Sequence, residues 1–204
     1  MFSNKATLNK HNNLDFKNKK LEIEISKEPL DENEVIERYI LLFLGVVDRP
    51  IPSILHLEKE IFIFSNFNPK VKNFIHFEKH YNGPYSQEIK ELVEYPIHFD
   101  SAWEIENGKI KITEKGKKLF KKLVQKFRDD MRFLRMLEVI KIIRDLYDKL
   151  TREELLLLVY VTFPKYKRKS KIFNEIYKKR KEIAKSLLKK NIITEERYKE
   201  ILNW

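Results

Sequence analysis

The chain has 204 residues, 42% hydrophobic and 36% charged, and 42 Lys+Arg against 31 Asp+Glu give it a formal +11. That composition suits a soluble globular domain, or a small domain with a helical extension; no run approaches the roughly 18–20 apolar residues of a membrane span, and the opening MFSNKATLNKHNNLDFKNKK lacks a signal peptide's apolar core, so a cytoplasmic chain without a membrane partner is expected. The absence of cysteine excludes disulfides, thiol catalysis and cysteine-ligated zinc, only 4 glycines argue against most glycine-rich phosphate cradles, and abundant Lys, Glu and Ile match the composition of thermophile chains.

Residues 1–20, rich in Asn and Lys without apolar periodicity, read as a mobile tail. Leu21, Ile23 and Ile25 alternate with charged residues as a short strand or arm would, and residues 1–30 are taken together as an N-terminal segment. Asp31 with Glu34 has capping-box spacing, and Val35, Tyr39 and Leu42 share a face, which predicts a first helix to about Leu44. After Gly45, Pro50 and Pro52, Ser53 caps a second helix in which Ile54, Leu57, Ile61 and Phe64 follow the 3.6-residue period. The segment from Pro69 to Pro84 reads as a connection ending in the turn signal Asn82-Gly83-Pro84. Pro84 then suits the first turn of a third helix, with Tyr85, Ile89, Leu92 and Val93 as its apolar stripe and Pro96 as its end.

Ala102–Glu106 and Lys109–Thr113 flank Asn107-Gly108, the pair that supplies the two positive φ angles of a tight type I′ hairpin. Thr113 caps a fourth helix carrying Leu119, Phe120, Leu123, Val124 and Phe127, and helical periodicity persists to about Leu150. Met131, Leu134, Leu137 and Ile140 in that long helix form an apolar series suited to a homodimer. Thr151 with Glu154 is a capping box opening the apolar run LLLLVYV; Pro164 ends that helix, Ser170 caps another with Ile172, Ile176, Ile183 and Leu187, and Thr194 opens a last one.

Helix, helix, helix, hairpin, helix is the order of a winged helix. The expected fold is therefore mainly α, with a winged-helix domain over 31–128 and an all-helical extension over 129–204 that offers a dimerisation or partner-binding region. The residues also carry a resemblance. Lys59-Glu60-Ile61-Phe62-Ile63-Phe64, Tyr81-Asn82-Gly83-Pro84-Tyr85-Ser86 and Ile112-Thr113-Glu114-Lys115-Gly116 resemble archaeal winged-helix proteins with a YGPYS…LTEKG pattern, themselves distantly similar to the Panacea (SocA-like) antitoxin domain. Leu155–Tyr160 with Phe163-Pro164-Lys165-Tyr166 and Ser170 is similar to the LLxLIYxxYPxYxxxS segment that follows in them. The resemblance spans roughly Val35 to Lys171 and implies a DNA-binding or toxin-neutralising protein with no catalytic residue to carry over. Glu94–Asp100 replaces the usual Leu-Gly-Leu-Ile before the wing.

Charge sharpens the choice of site. Residues 1–108 hold 13 Lys+Arg and 18 Asp+Glu, net −5, and residues 109–204 hold the remaining 29 and 13, net +16. Such asymmetry points to a polyanion or an acidic partner, and lysines also solvate exposed helix faces. Lys109, Lys111, Lys115, Lys117 and Lys118 surround the wing and the next helix start, the preferred phosphate-contact surface. Ser86, Gln87 and Lys90 on the third helix can reach base edges or phosphates, although Glu88, Glu91 and Glu94 repel phosphate. Lys167, Arg168 and Lys169, with Lys165 and Lys171 around Tyr166, offer a single-strand or backbone platform, or a solvated loop. Tyr81, Gly83, Pro84 and Tyr85 suit a protein partner or packing.

His76 and His80, four apart with Glu78 between them, lack a third metal ligand fixed by spacing, and Asp100, Glu104, Glu106 and Lys109 lack the compact carboxylate–lysine pattern of a metal-dependent nuclease. No nucleophile elbow or phosphate-binding loop is visible. The chain therefore reads as a non-enzymatic winged-helix regulator of double-stranded DNA, without metal or cofactor. An antitoxin-like module for a protein partner is the alternative.

Overall fold

The computed structural model describes residues 31–204, so the expected tail and the strand at Leu21–Ile25 lie outside the described residues. The described residues are mainly helical, with two antiparallel two-stranded hairpins and no helix long and apolar enough to cross a membrane.

α1 (Glu32–Gly45) starts where the Asp31 carboxylate accepts the Asn33 N–H at 2.9 Å. Glu34 closes no capping box; it pairs with Arg38 one turn on. α2 (Ile54–Phe67) is capped by Ser53 as expected, and a 3₁₀ turn follows at Pro69–Asn73. The next stretch departs from the sequence reading: β1 (Glu78–His80) pairs with β2 (Gly83–Tyr85) in the register Glu78↔Tyr85, His80↔Gly83. Pro84, expected to open a helix, sits in β2, where a lone hairpin tolerates its missing N–H. Ser86 caps α3 (Gln87–Glu94) in its place.

β3 (Trp103–Glu106) and β4 (Lys109–Ile112) form the expected hairpin, with Asn107 at φ 51 and Gly108 at φ 76 as type I′ demands. Ile51 exchanges two 2.9 Å backbone hydrogen bonds with Ile110, laying the α1–α2 connection along β4. Thr113 caps α4 (Glu114–Lys126). The single helix expected to run to Leu150 is broken: residues 127–130 leave the helix, and the Asp130 carboxylate caps α5 (Met131–Tyr147) by accepting the N–H groups of Arg132 and Phe133.

α6 (Arg152–Thr162) opens with the complete Thr151/Glu154 capping box and is followed by a 3₁₀ turn at Pro164–Lys169. The helix expected after Ser170 is two short ones, α7 (Phe173–Lys178) and α8 (Arg180–Lys189), and Ser170 caps neither. α9 (Glu195–Leu202) starts at its Thr194 cap.

Two apolar clusters hold these elements. The first joins α1, α2, α3 and the β3–β4 hairpin, takes in Ile140 and Ile143 of α5, and includes Tyr166; the second runs from Leu150 to Ile201. α2 is the axis of the first cluster, buried on every side from His56 to Ser65. Each fully buried Ile or Leu there, such as Leu57 and Ile61, contributes about 1.5–3 kcal/mol relative to exposure. Ile140 is fully buried while Met131 is 61% exposed, so the series expected to form a dimer seam is split between core and surface.

Candidate nucleic-acid interface

The β3–β4 hairpin and α4 are tied into one unit. The Thr113 hydroxyl donates to the Ser101 carbonyl at 2.6 Å, and the Thr113 N–H donates to the Ala102 carbonyl at 3.0 Å. One turn into α4, Gly116 lies so close to this strand that a Cβ there would stand 2.0 Å from the Ala102 carbonyl oxygen. Only glycine permits that approach, which gives the Thr-Glu-Lys-Gly run a packing reason. Leu119, Phe120 and Leu123 face the first core, and the other side of α4 is open.

That open side is cationic. Lys115, Lys118, Lys122 and Lys126 are exposed and spaced i, i+3, i+7, i+11, which places them in one stripe about 16 Å long at a rise of about 1.5 Å per residue. None of these lysines makes an ion pair among the described residues, and Lys121 lies exposed beside them. The other expected contacts are partly compensated. Lys111 lies across from Glu104 and Glu106, at 4.0 and 3.7 Å, and Lys117 sits 2.9 Å from Glu114 and 3.9 Å from Asp48. The hydrogen bond to Glu114 raises the Lys117 pKa above its ordinary value. Lys109 is exposed beside the hairpin tip, opposite Glu106.

α3 offers little to phosphate. Ser86 is fully buried, its hydroxyl accepting the Ile89 N–H and donating to Glu88, so it does not reach a ligand. Gln87 is held between the Tyr85 hydroxyl and Glu91, Lys90 is half-buried, and Glu91 and Glu94 are exposed.

Of the segments that carry the sequence resemblance, Tyr81–Ser86, Leu155–Tyr160 and Ser170 meet at the β1–β2 turn, while Ile112–Gly116 lies at the base of the other hairpin. Ser170 donates to the Tyr81 carbonyl at 2.9 Å and meets the Tyr160 hydroxyl at 2.8 Å. Arg152 donates to Asn82, Lys171 sits 4.0 Å above the Tyr81 ring, and His80 stacks on Tyr85 at 4.5 Å. Gly83 and Pro84 are buried in this knot, while Tyr81 is 49% exposed and Tyr85 half-buried. Tyr166, in the run read from sequence as a stacking platform or a solvated loop, is 4% exposed and packs edge-on against Phe62 at 5.0 Å. Lys167 folds over Phe173 and Trp204, whereas Arg168 and Lys169 are exposed without an ion pair among the described residues. No three His, Asp or Glu side chains gather as metal ligands among the described residues, His76 and Glu78 included.

The periodicity of α2 hid a set of buried charges. Lys59, inaccessible to solvent, donates to the nearly buried Glu58 at 3.0 Å; burial pushes the lysine's pKa down and the carboxyl's up. Glu60 is fully buried 3.7 Å from Arg144, and neither of its oxygens has a hydrogen-bond partner. Burial, then the nearby Asp148 carboxylate, push the Glu60 pKa well above its ordinary value, so Glu60 holds its proton more tightly than a solvated carboxyl does. Arg144 donates to Asp148 and to the Phe43 and Arg49 carbonyls, knotting α5 to the end of α1 and the loop after it. His56 bridges Ser53 and the Leu150 carbonyl; a carbonyl only accepts, so Nε2 carries the proton and Nδ1 accepts from Ser53. These groups brace helices. The one signal for them in the sequence is Glu58-Lys59-Glu60 set inside an otherwise apolar run.

No family model matches the chain, and no curated protein matches it.

Proposed function

We propose that the chain is a non-enzymatic DNA-binding protein, a transcriptional regulator whose residues 31–128 form a winged helix and which grips the duplex backbone with α4 and the β3–β4 wing. The observation that carries this reading is the stripe Lys115, Lys118, Lys122 and Lys126, locked to the hairpin through Thr113 and Gly116. The order α1, α2, α3, β3, β4 and the Ile51–Ile110 bridge support the winged-helix assignment. Phosphate contacts fix position and bind all sequences alike, so base readout falls to Gln87, Lys90 and the hairpin tip.

The test is duplex affinity of two folded variants at about 0.1 M salt. Replacing Lys115, Lys118, Lys122 and Lys126 by Gln weakens binding by about 10²–10³-fold, since each phosphate contact contributes about 0.9 to the slope of log K against log salt. Replacing Lys111 and Lys117 by Gln weakens it far less, because local carboxylates already compensate them. Equal effects of the two variants, or wild-type affinity in the first, reject the assignment.

A second reading, an antitoxin-like module for a protein partner, is favoured by α3. Glu91 and Glu94 continue into Tyr95, 76% exposed, and Ile97, 61% exposed, a surface suited to a basic protein and repulsive to phosphate. Glu91→Lys with Glu94→Lys separates the two. Tighter duplex binding places α3 against DNA; unchanged affinity leaves that face for a protein.

A further inference from the structure

A cavity of about 250 Å³ opens between α2, the chain entering β1 and the 3₁₀ turn Pro164–Lys169, away from the α4 stripe. Its wall is aromatic. Phe77, Phe163 and Tyr166 each meet Phe62 edge to face, with ring centroids 5.2, 4.8 and 5.0 Å apart, and Phe77 and Phe163 are half-buried. Its mouth is polar and cationic: Lys72 donates to Asn66 at 3.0 Å, and the Lys165 ammonium stands 5.1 Å from the Tyr166 ring centre. Neither lysine makes an ion pair among the described residues, and Arg168 and Lys169 extend the positive surface along the turn. The exposed His76 completes the mouth, 3.7 Å from Glu88.

Aromatic walls select a flat, polarisable ring, and two uncompensated ammonium groups at the rim select an anion attached to it. At about 250 Å³ the cavity is smaller than the roughly 300–1,000 Å³ of sites for drug-sized ligands, which restricts it to one ring system. We propose that this cavity binds a single nucleobase, with the attached phosphate held by Lys72 and Lys165. The base comes either from a free nucleotide or from a single-stranded nucleic acid that continues over Arg168 and Lys169. This site shares no residue with the duplex-binding surface and stands whether or not that surface binds DNA.

The probe is a short fluorescein-labelled oligothymidylate, read by anisotropy against the full chain. Lys72→Glu with Lys165→Glu, both surface changes, and separately Phe77→Leu, which keeps an apolar side chain, each weaken binding by about tenfold or more. Both leave duplex affinity unchanged. Adenosine monophosphate displaces the probe if the site takes free nucleotides; unlabelled oligothymidylate alone displaces it if the strand is needed. Displacement by inorganic phosphate as effective as by the nucleotide overturns the proposal, as does binding that the lysine variant weakens but Phe77→Leu does not. Absence of oligothymidylate and nucleotide binding overturns it too.

Discussion

The two hairpins among the described residues are alike in size and opposite in setting. At the β3–β4 tip nothing lies within 4 Å of where a Gly108 Cβ would stand, whereas a Cβ on Gly83 of the β1–β2 hairpin would meet Tyr160 at 3.4 Å and Leu156 at 3.6 Å. The β1–β2 turn is held by Arg152, Ser170 and Lys171 from the second half of the chain; the β3–β4 hairpin is held along its strands, by the Ile51–Ile110 bridge, Thr113 and the fit of Gly116, and its tip is left open. The Asn-Gly signal thus yields a brace where apolar α6 packs over it and an open tip where no element does. A brace suits architecture, and an open tip joined to a lysine stripe suits contact.

The comparison breaks most severely at the base of the β3–β4 hairpin. Gly116→Ala forces the Ala102 carbonyl to move, and a loss of about 3 kcal/mol or more is expected in chemical denaturation. At the tips, Gly83→Ala at φ 82 and Gly108→Ala at φ 76 both meet backbone strain and lose about 1 kcal/mol, because a Cβ on Gly83 makes only ordinary van der Waals contact with Tyr160. A much larger loss at Gly108 than at Gly83 contradicts the division into brace and open tip.

The remaining effect is a pH dependence that belongs to α2 and not to the exposed β3–β4 tip. The raised Glu60 pKa means that its contribution to stability is fully present below its ordinary value of 4.5 and is lost as pH rises through the folded-state value. Glu60→Gln therefore flattens the fall in stability on going from acid to alkaline pH, by about 1.4 kcal/mol for each unit of displacement. Thermal unfolding across that range checks it; a profile identical to wild type contradicts the assignment.

The contrast between the hairpins also explains what the sequence revealed. Asn107-Gly108 was legible because two adjacent positive φ angles need those residue types, and Ser53, Thr113, Thr151 and Thr194 because a cap is a local hydrogen bond. Asn82-Gly83-Pro84 misled because Pro84 fits a first helical turn as well as a strand in a lone hairpin; contacts with Ser170, far along the chain, accompany the second choice. The break at residues 127–130 has no Gly or Pro to mark it, and apolar spacing runs through Phe127 and Phe133, whose rings pack together at 5.1 Å. Of the expected DNA contacts, Lys109, Lys115 and Lys118 lie exposed, Ser86 is buried, and Lys111 and Lys117 face carboxylates that only folding brings near. Lys122 and Lys126 join the candidate stripe only because the core leaves that side of α4 open, which the sequence does not show.

The most direct measurement is duplex affinity by fluorescence anisotropy across a salt series, for the wild-type chain and for the variant with Gln at 115, 118, 122 and 126. The account predicts a steep salt slope for the wild type and a slope shallower by about 3–4 in the folded variant, at about 0.9 per lost contact. Equal slopes in the two proteins, or no duplex binding by the wild type near physiological salt, would contradict the claim that α4 and its hairpin grip DNA.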